Sequence, residues 1–127
     1  MTKHLFNKES KESLRLKLES ESFKRITLSF YRYVIIDCPD DLRNEIYENF
    51  EGLGILGRVY VAKEGINAQI SIPEQYFSDF KEYLQNSTLL CNMPLKIAVE
   101  DNGKSFIKLI VKVKNKVVAD GLNDETF

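Results

Sequence analysis

The sequence predicts an α+β domain in which two helices cover one face of an antiparallel sheet. Alternating apolar residues, the pattern of half-buried strands, occur within 26–36, 59–72 and 95–113. Between these stretches, residues 39–54 and 73–86 place apolar side chains at helical spacing. The resulting order of strand, helix, strand, strand, helix, strand is the split βαβ, or ferredoxin-like, arrangement.

A polar segment precedes this domain. Residues 1–22 are rich in charge, and Leu14 and Leu18 lie at helical spacing within them, which predicts a short and weakly amphipathic helix. Its apolar stripe is too thin to hold the helix without support from the domain edge or a partner. The predicted division is a partly helical extension at 1–22, the ferredoxin-like domain at 23–119 and a polar tail at 120–127.

The first strand and the first helix meet near Pro39. Apolar and polar residues alternate from Ile26, and the strand is expected to run towards Ile36. Pro39 suits the first turn of a helix, because its missing N–H would have no partner there. Gly52 or Gly54 is expected to end the helix. The predicted buried stripe of this helix comprises Leu42, Ile46, Phe50 and Leu53.

A β-hairpin is predicted at the centre of the sheet. Its strands flank a break at Glu64-Gly65, where glycine can adopt the positive φ of a tight turn. Pro73 is then expected to begin the second helix. The inward residues of the second hairpin strand and of that helix are predicted to be Ile66, Ala68, Ile70, Ile72, Phe77, Phe80 and Leu84.

The last strand is predicted to be elaborated as a hairpin. Asn102-Gly103 is a strong signal for a two-residue hairpin turn, and alternating apolar residues stand on both sides of it. The alternating residues are Leu95, Ile97 and Val99 before the turn and Ile107, Leu109, Val111 and Val113 after it. With both helices on one face, the opposite face of the sheet is left uncovered.

Composition indicates one compact globular domain. The chain has 127 residues, of which 43% are hydrophobic, and a net charge of −1, so a strongly basic balance typical of many nucleic-acid-binding domains is absent. No apolar run approaches the ~20 residues of a membrane span, and the N-terminus lacks the apolar core of a signal peptide. These features predict a cytoplasmic protein. Cys38 and Cys91 lack paired metal spacing and His4 is the single histidine, which favours reduced structural thiols over a zinc site.

The uncovered face combines aromatic, cationic and amide side chains. Single-stranded RNA is bound by such sets, because rings stack on bases, cations neutralise phosphates and amides read base edges. The candidate RNA-binding residues are Tyr31, Arg58, Tyr60, Lys63, Asn67, Gln69, Lys104, Phe106, Lys108 and Lys112. The alternatives are a face covered by another domain and a solvated face, on which alternating lysines oppose edge-to-edge aggregation.

Residues with catalytic potential have simpler explanations. Asp37, Asp40 and Asp41 surround the start of the first helix, where carboxylates complement the helix dipole. The sequence contains no serine or cysteine triad, phosphate-binding glycine loop or zinc signature. It also lacks the glycine-rich loop with an arginine that an acylphosphatase would carry before its first helix. The Lys63–Asn67 segment has two interpretations. It contacts a substrate or another domain, or its residues only serve the chemistry of a tight turn.

Three blocks of the sequence resemble the N-terminal domain of TrhO proteins. The TrhO family consists of rhodanese-like tRNA uridine hydroxylases. The blocks are GRVYVAKEGINAQISIP at 57–73, DNGKSFIKLIVKVKNKVVADG at 101–121 and SFYRY at 29–33. The resemblance implies a full-length enzyme that hydroxylates the wobble uridine of tRNA to 5-hydroxyuridine, with molecular oxygen as co-substrate. It implies no cofactor in this domain.

The resemblance also implies the partners and places the chemistry elsewhere. The expected partners are the tRNA anticodon arm and a rhodanese domain of the same full-length chain. Residues 120–127 would begin the linker to that rhodanese domain. Neither a membrane nor DNA is expected as a partner. In this family the essential cysteine lies in the rhodanese loop, which neither Cys38 nor Cys91 matches. No catalytic residue is therefore assigned here. Three functions remain: an accessory domain that binds RNA, a structural module whose open sheet face packs on the rhodanese domain, and a small-molecule regulatory domain. The fold favours the third, but no specific residue pattern does.

Overall fold

The order of helices and strands along the chain follows the predicted α+β pattern. A computed structural model describes residues 10–98 and 106–115. A 3₁₀ turn, Glu74–Tyr76, precedes the last helix. The helices and strands within the described residues are α1 (Lys11–Glu19), β1 (Arg25–Tyr33), α2 (Pro39–Gly52), β2 (Leu56–Ala62), β3 (Gly65–Pro73), α3 (Phe77–Gln85), β4 (Lys96–Ile97) and β5 (Leu109–Val113).

The sheet has the strand order β4-β1-β3-β2-β5. β3 pairs antiparallel with both β1 and β2, and β4 pairs antiparallel with β1. Each βαβ unit is therefore split by a strand of the other unit, which confirms the ferredoxin-like prediction. The prediction of an antiparallel sheet is only partly right, because β5 pairs in parallel with β2.

The predicted hairpin of the last strand is also wrong. Strand β4 pairs with β1 at one edge of the sheet, whereas β5 pairs with β2 at the other edge. Backbone bonds from Gly57 N to Lys108 O (2.9 Å) and from Lys114 N to Val61 O (2.8 Å) hold β5 in place. These bonds give the backbone groups of β2 strand partners on the side away from β3. Asn102-Gly103 itself lies outside the described residues.

The core lies between the sheet and the helices α2 and α3, as predicted. Alternate residues of β1, β2 and β3 point towards the helices, and the rings of Phe50 and Phe80 meet edge to face with centroids 5.8 Å apart. Leu28, Phe30, Val59 and Val61 are buried on β1 and β2. The buried residues at positions that the sequence predicted to face inward are Leu42, Ile46, Phe50, Ile66, Ala68, Ile70, Ile72, Phe80, Leu84 and Val111. Period-2 and period-3.6 patterns therefore identified the inward faces correctly.

The two main helices begin differently from one another. Pro39 is at the start of α2, as predicted, and Gly54 follows its end with a φ of 72°. Pro73 does not begin a helix. It is the last residue of β3, where it pairs with Arg25, and its ψ of 133° is extended. A 3₁₀ turn follows it, so that α3 starts only at Phe77.

The N-terminal helix α1 is confirmed within residues 11–19. Ser10 caps it by accepting a hydrogen bond from the backbone N–H of Ser13 (3.1 Å). Of the two leucines at helical spacing, Leu18 is buried and Leu14 is partly buried. No helix among the described residues has both the length and the apolar character of a membrane span.

Gly65 has a role beyond the positive φ that was predicted for it. The two-residue turn consists of Lys63 and Glu64, and Gly65 is already the first residue of β3, opposite Ala62. A Cβ at Gly65 would collide with the carbonyl oxygen of Arg32 on β1. Glycine is therefore required by the close approach of β1, and its φ of 158° is positive, as the sequence predicted.

Candidate functional site

The sheet surface opposite α2 and α3, here called the open face, carries two rows of side chains across four strands. Directly paired residues point to the same side of a sheet, so strand register places them together. The tyrosine row consists of Tyr31, Asn67, Tyr60 and Lys112. The arginine row consists of Ser29, Gln69, Arg58 and Ile110. Six side chains predicted from the sequence thus form one continuous surface.

A central depression of about 230 Å³ lies between the two rows. It is lined by Arg58, Tyr60, Asn67 and Gln69, which form two directly opposed pairs on β2 and β3. The residues between them, Val59 and Ala68, are buried on the helix side. The backbone of the two strands therefore forms the floor of the depression, and the polar side chains form its walls.

Cations lie over the aromatic rings at the β5 side of the open face. The Nζ atom of Lys114 is 5.0 Å from the centre of the Tyr60 ring. The guanidinium carbon of Arg58 is 6.0 Å from the centre of the Phe106 ring. Attraction between a cation and a ring face holds these side chains near one another. The rings and positive charges are therefore placed where a base and its phosphate would both find contacts.

Tyr31 and Tyr33 extend the surface at the β1 side. Their rings meet edge to face with centroids 5.3 Å apart, and they are 46% and 62% exposed. A hydrogen bond with the Tyr33 side chain, together with desolvation and the nearby charges of Tyr33 and Glu64, raises the pKa of Tyr31 to about 12. The Tyr31 ring is accessible at the surface of the open face.

The remaining predicted residues lie around the margins of the two rows. Lys63 is exposed in the turn between β2 and β3, and Lys108 is exposed just before β5. Phe106 is partly buried beside Arg58. Lys104 lies outside the described residues.

Three further residues on the open face were missed by the sequence analysis. Tyr33 and Lys114 continue the alternation of Tyr31 and Lys112 by one step, so the pattern itself could have identified them. Lys96 lies opposite Ser29 at the β4 edge, a position that only the strand register discloses. All three add rings or positive charge to the same surface.

The open face is closed at the end nearer α1. Arg25 forms a bidentate ion pair with Glu21 (2.8 Å for both contacts) and donates to Ser71 Oγ (3.2 Å). Ser71 points to the open face but is fully buried. The accessible part of the open face is therefore limited to the two rows and the Tyr33 end.

Charge is segregated between the two sides of the domain. Cations concentrate on the open face, whereas carboxylates line a groove of about 420 Å³ between α2 and α3. The acidic residues of that groove are Glu48, Asp79 and Glu82. The net charge of −1 is therefore the sum of a basic surface and an acidic surface whose charges nearly cancel.

The described residues contain no group of three His, Cys, Asp or Glu side chains that could hold a metal ion. Both cysteines are free, and Cys91 is partly buried. Cys38 is exposed just before α2. What the open face offers chemically is binding by rings, amides and cations.

The similarity of this chain to known protein families shows to which family it belongs. Residues 25–117 match the family described as the UPF0176 acylphosphatase-like domain. The chain belongs to this family. The match spans the split βαβ fold from β1 to beyond β5, and it confirms the resemblance to the N-terminal domain of TrhO proteins.

Relatives of this UPF0176 domain are much longer than the chain. It is 53% identical over 123 residues to the tRNA uridine(34) hydroxylase of Leptospira interrogans, a match that covers 97% of the chain and 34% of the relative. It is 47% identical over 124 residues to the protein of the same name from Hamiltonella defensa, covering 97% and 35%. The chain therefore spans about a third of the length of the curated relatives it matches.

Solved structures show the same fold at low sequence identity. The UPF0176 domain superimposes on the dark-state structure of the BLUF protein BlrB with a TM-score of 0.50 and 13% identity, covering 72% of this chain and 75% of that one. The BLUF structure of BlrP1 gives a TM-score of 0.50 and 13% identity, covering 75% and 67%. These likenesses concern the fold alone.

Proposed function

We propose that this UPF0176 domain is the N-terminal accessory part of an enzyme that hydroxylates the wobble uridine of tRNA, and that its open face binds the anticodon arm. The relatives named tRNA uridine(34) hydroxylase supply the substrate class. The observation that carries the RNA-binding role is the tyrosine row, in which rings, an amide and a cation are contiguous across four strands.

Each residue type has a distinct task in this proposal. Tyr31 and Tyr60 stack on unpaired bases of the anticodon loop, since base–ring stacking tolerates any base. Asn67 and Gln69 form hydrogen bonds with base edges. The cations neutralise phosphates; on the described part of the open face they are Arg58, Lys63, Lys96, Lys108, Lys112 and Lys114.

The reaction itself belongs to the full-length protein in this proposal. A rhodanese domain of the same chain carries out the hydroxylation to 5-hydroxyuridine in the cytoplasm, with molecular oxygen as co-substrate. The UPF0176 domain holds the arm while that step occurs and contributes no catalytic residue.

The decisive experiment measures binding of a fluorescent anticodon stem-loop with a wobble uridine by anisotropy. The variant Arg58→Ala/Lys112→Ala is expected to bind about tenfold more weakly, because two phosphate contacts are lost. The matched control, Arg15→Ala/Lys24→Ala, removes the same charge from exposed positions outside the two rows and should bind like the wild type. Equal affinity of all three proteins would contradict the proposal.

A second candidate function, a structural module that packs on the rhodanese domain, is favoured by exposed apolar side chains at one end of the open face. Tyr31, Tyr33 and Ile35 are 46%, 62% and 77% exposed at one end of the open face, which is unusual for large apolar side chains in succession. If the UPF0176 domain is a structural module, the rhodanese domain packs on this end of the open face and covers these side chains. Hydrogen exchange of β1 and β3 amides in the full-length protein distinguishes the two functions. Protection by the rest of the chain without RNA favours docking, and protection only on adding the stem-loop favours RNA binding.

A further inference from the structure

We infer that the central depression holds one unstacked base of the bound RNA, flanked by the carboxamides of Asn67 and Gln69 and by the Tyr60 ring. This inference rests on the proposed function, because it specifies which part of an RNA enters the open face. It assigns to Tyr60, Asn67 and Gln69 a task different from the attraction of phosphates by the surrounding cations.

The size of the depression fits a single base. Its volume of about 230 Å³ corresponds to about eight water molecules at ~30 Å³ each. Opposed side chains on neighbouring strands start ~5 Å apart, and residues two apart on one strand start ~7 Å apart. A depression of this size has room for one planar heterocycle, which fits an unpaired base.

The chemistry of the walls fits a base better than a phosphate alone. Asn67 and Gln69 each offer a donor and an acceptor, and the edge of every nucleobase presents both kinds of group side by side. A phosphate has only acceptors and would not use the amide oxygens. Tyr60 supplies a ring and a hydroxyl in the same wall, which suits a flat, partly apolar ligand.

The surroundings supply the phosphate contacts of the same nucleotide. Arg58 forms one wall of the depression, and Lys112 lies next to Tyr60 in the tyrosine row. Lys114 lies over the Tyr60 ring at 5.0 Å, on the β5 side. A base inserted between Tyr60 and Gln69 therefore has cations beside it, where its sugar and phosphate leave the depression.

The test uses the chain with a set of anticodon stem-loops in which each loop nucleotide in turn is replaced by an abasic ribose. For the wild type, abasic replacement at one loop position should weaken binding about tenfold, and at the others clearly less. In the variants Gln69→Ala and Asn67→Ala, abasic replacement at that loop position should weaken binding by a factor within about twofold of the factor at the other positions. Gln69 is exposed, so its replacement leaves the core intact.

Lys112→Ala is the comparison variant. It should weaken all the stem-loops by a similar factor and keep the sensitive position, because a phosphate contact does not depend on which base is present. A sensitive position that persists in both amide variants would overturn the inference, as would equal sensitivity at every loop position. In either case RNA binding itself would stand. Absence of any stem-loop binding would overturn the proposed function and the inference together.

Discussion

At the residue scale, Gly65 is where the central hairpin meets the neighbouring strand. The carbonyl oxygens of Lys63 and Glu64 accept hydrogen bonds from Ile36 N and Val34 N, both at 2.9 Å, so the turn is fixed to the chain that leaves β1. This tight attachment brings the Arg32 carbonyl against the α-carbon of Gly65. The glycine thus fixes the end of the open face next to Tyr33, which is opposite Gly65 in the register.

We predict that Gly65→Ala destabilises the domain by roughly 2–4 kcal/mol, because the new methyl group forces β1 and β3 apart. Urea denaturation followed by circular dichroism measures the change. The matched control is Gly52→Ala at the end of α2, where a Cβ would meet nothing within 4 Å. That variant should be about as stable as the wild type or up to about 1 kcal/mol more stable. Similar stabilities for both alanine variants would refute the close-approach explanation.

At the scale of elements, β5 is attached to the domain from two sides. Its backbone pairs with β2, and Arg43 on α2 donates from Nε to the Val111 carbonyl oxygen at 2.7 Å. The guanidinium carbon of Arg43 also lies 5.2 Å from the centre of the Tyr47 ring, which orients the side chain. Since β5 carries Lys112 to the open face, this helix contact on the opposite side positions part of the candidate site.

We expect Arg43→Met to lower the free energy of unfolding by about 1.5–3 kcal/mol, because it removes a charged donor while keeping an apolar stem on Tyr47. Hydrogen exchange should accelerate most at the Lys114 amide, which bonds to Val61 O, and least in the central strand β3. Arg15→Met on exposed α1 is the control and should leave both quantities nearly unchanged. Uniform acceleration across the sheet would show that Arg43 has no selective effect on β5.

At the scale of the whole molecule, charge is segregated between the two sides of the domain. The open face is basic, and the α2–α3 groove is acidic. In the proposed function, an RNA loop that approaches the acidic side would be repelled, so the two sides together would orient binding. Composition alone could not indicate this, because the opposite charges nearly cancel over the chain.

The salt dependence of stem-loop binding should report this orientation. Arg58→Ala/Lys112→Ala is predicted to reduce the slope of log affinity against log salt concentration by about 1.4, at ~0.7 for each single-strand phosphate contact. Glu48→Gln/Glu82→Gln changes the net charge by an equal amount on the other side, and its slope should equal that of the wild type. A slope that follows net charge in both variants would mean that RNA has no preferred face.

The sequence by itself determined the local features of this protein. Its alternations placed the inward residues of the strands, and apolar stripes placed those of α2 and α3, because side-chain direction within one element depends only on its period. The same alternation predicted correctly that Tyr31, Arg58, Tyr60 and Asn67 share one face. Each of these conclusions concerns neighbours along the chain.

Only the tertiary structure decided which elements meet. Strand β5 pairs with β2 and not with β4, a pairing between strands far apart in sequence. The central depression, the role of Gly65 and the separation of charge depend likewise on register between strands far apart in sequence. Such pairings are selected by the combined packing of the whole sheet on α2 and α3, and no local pattern contains that information.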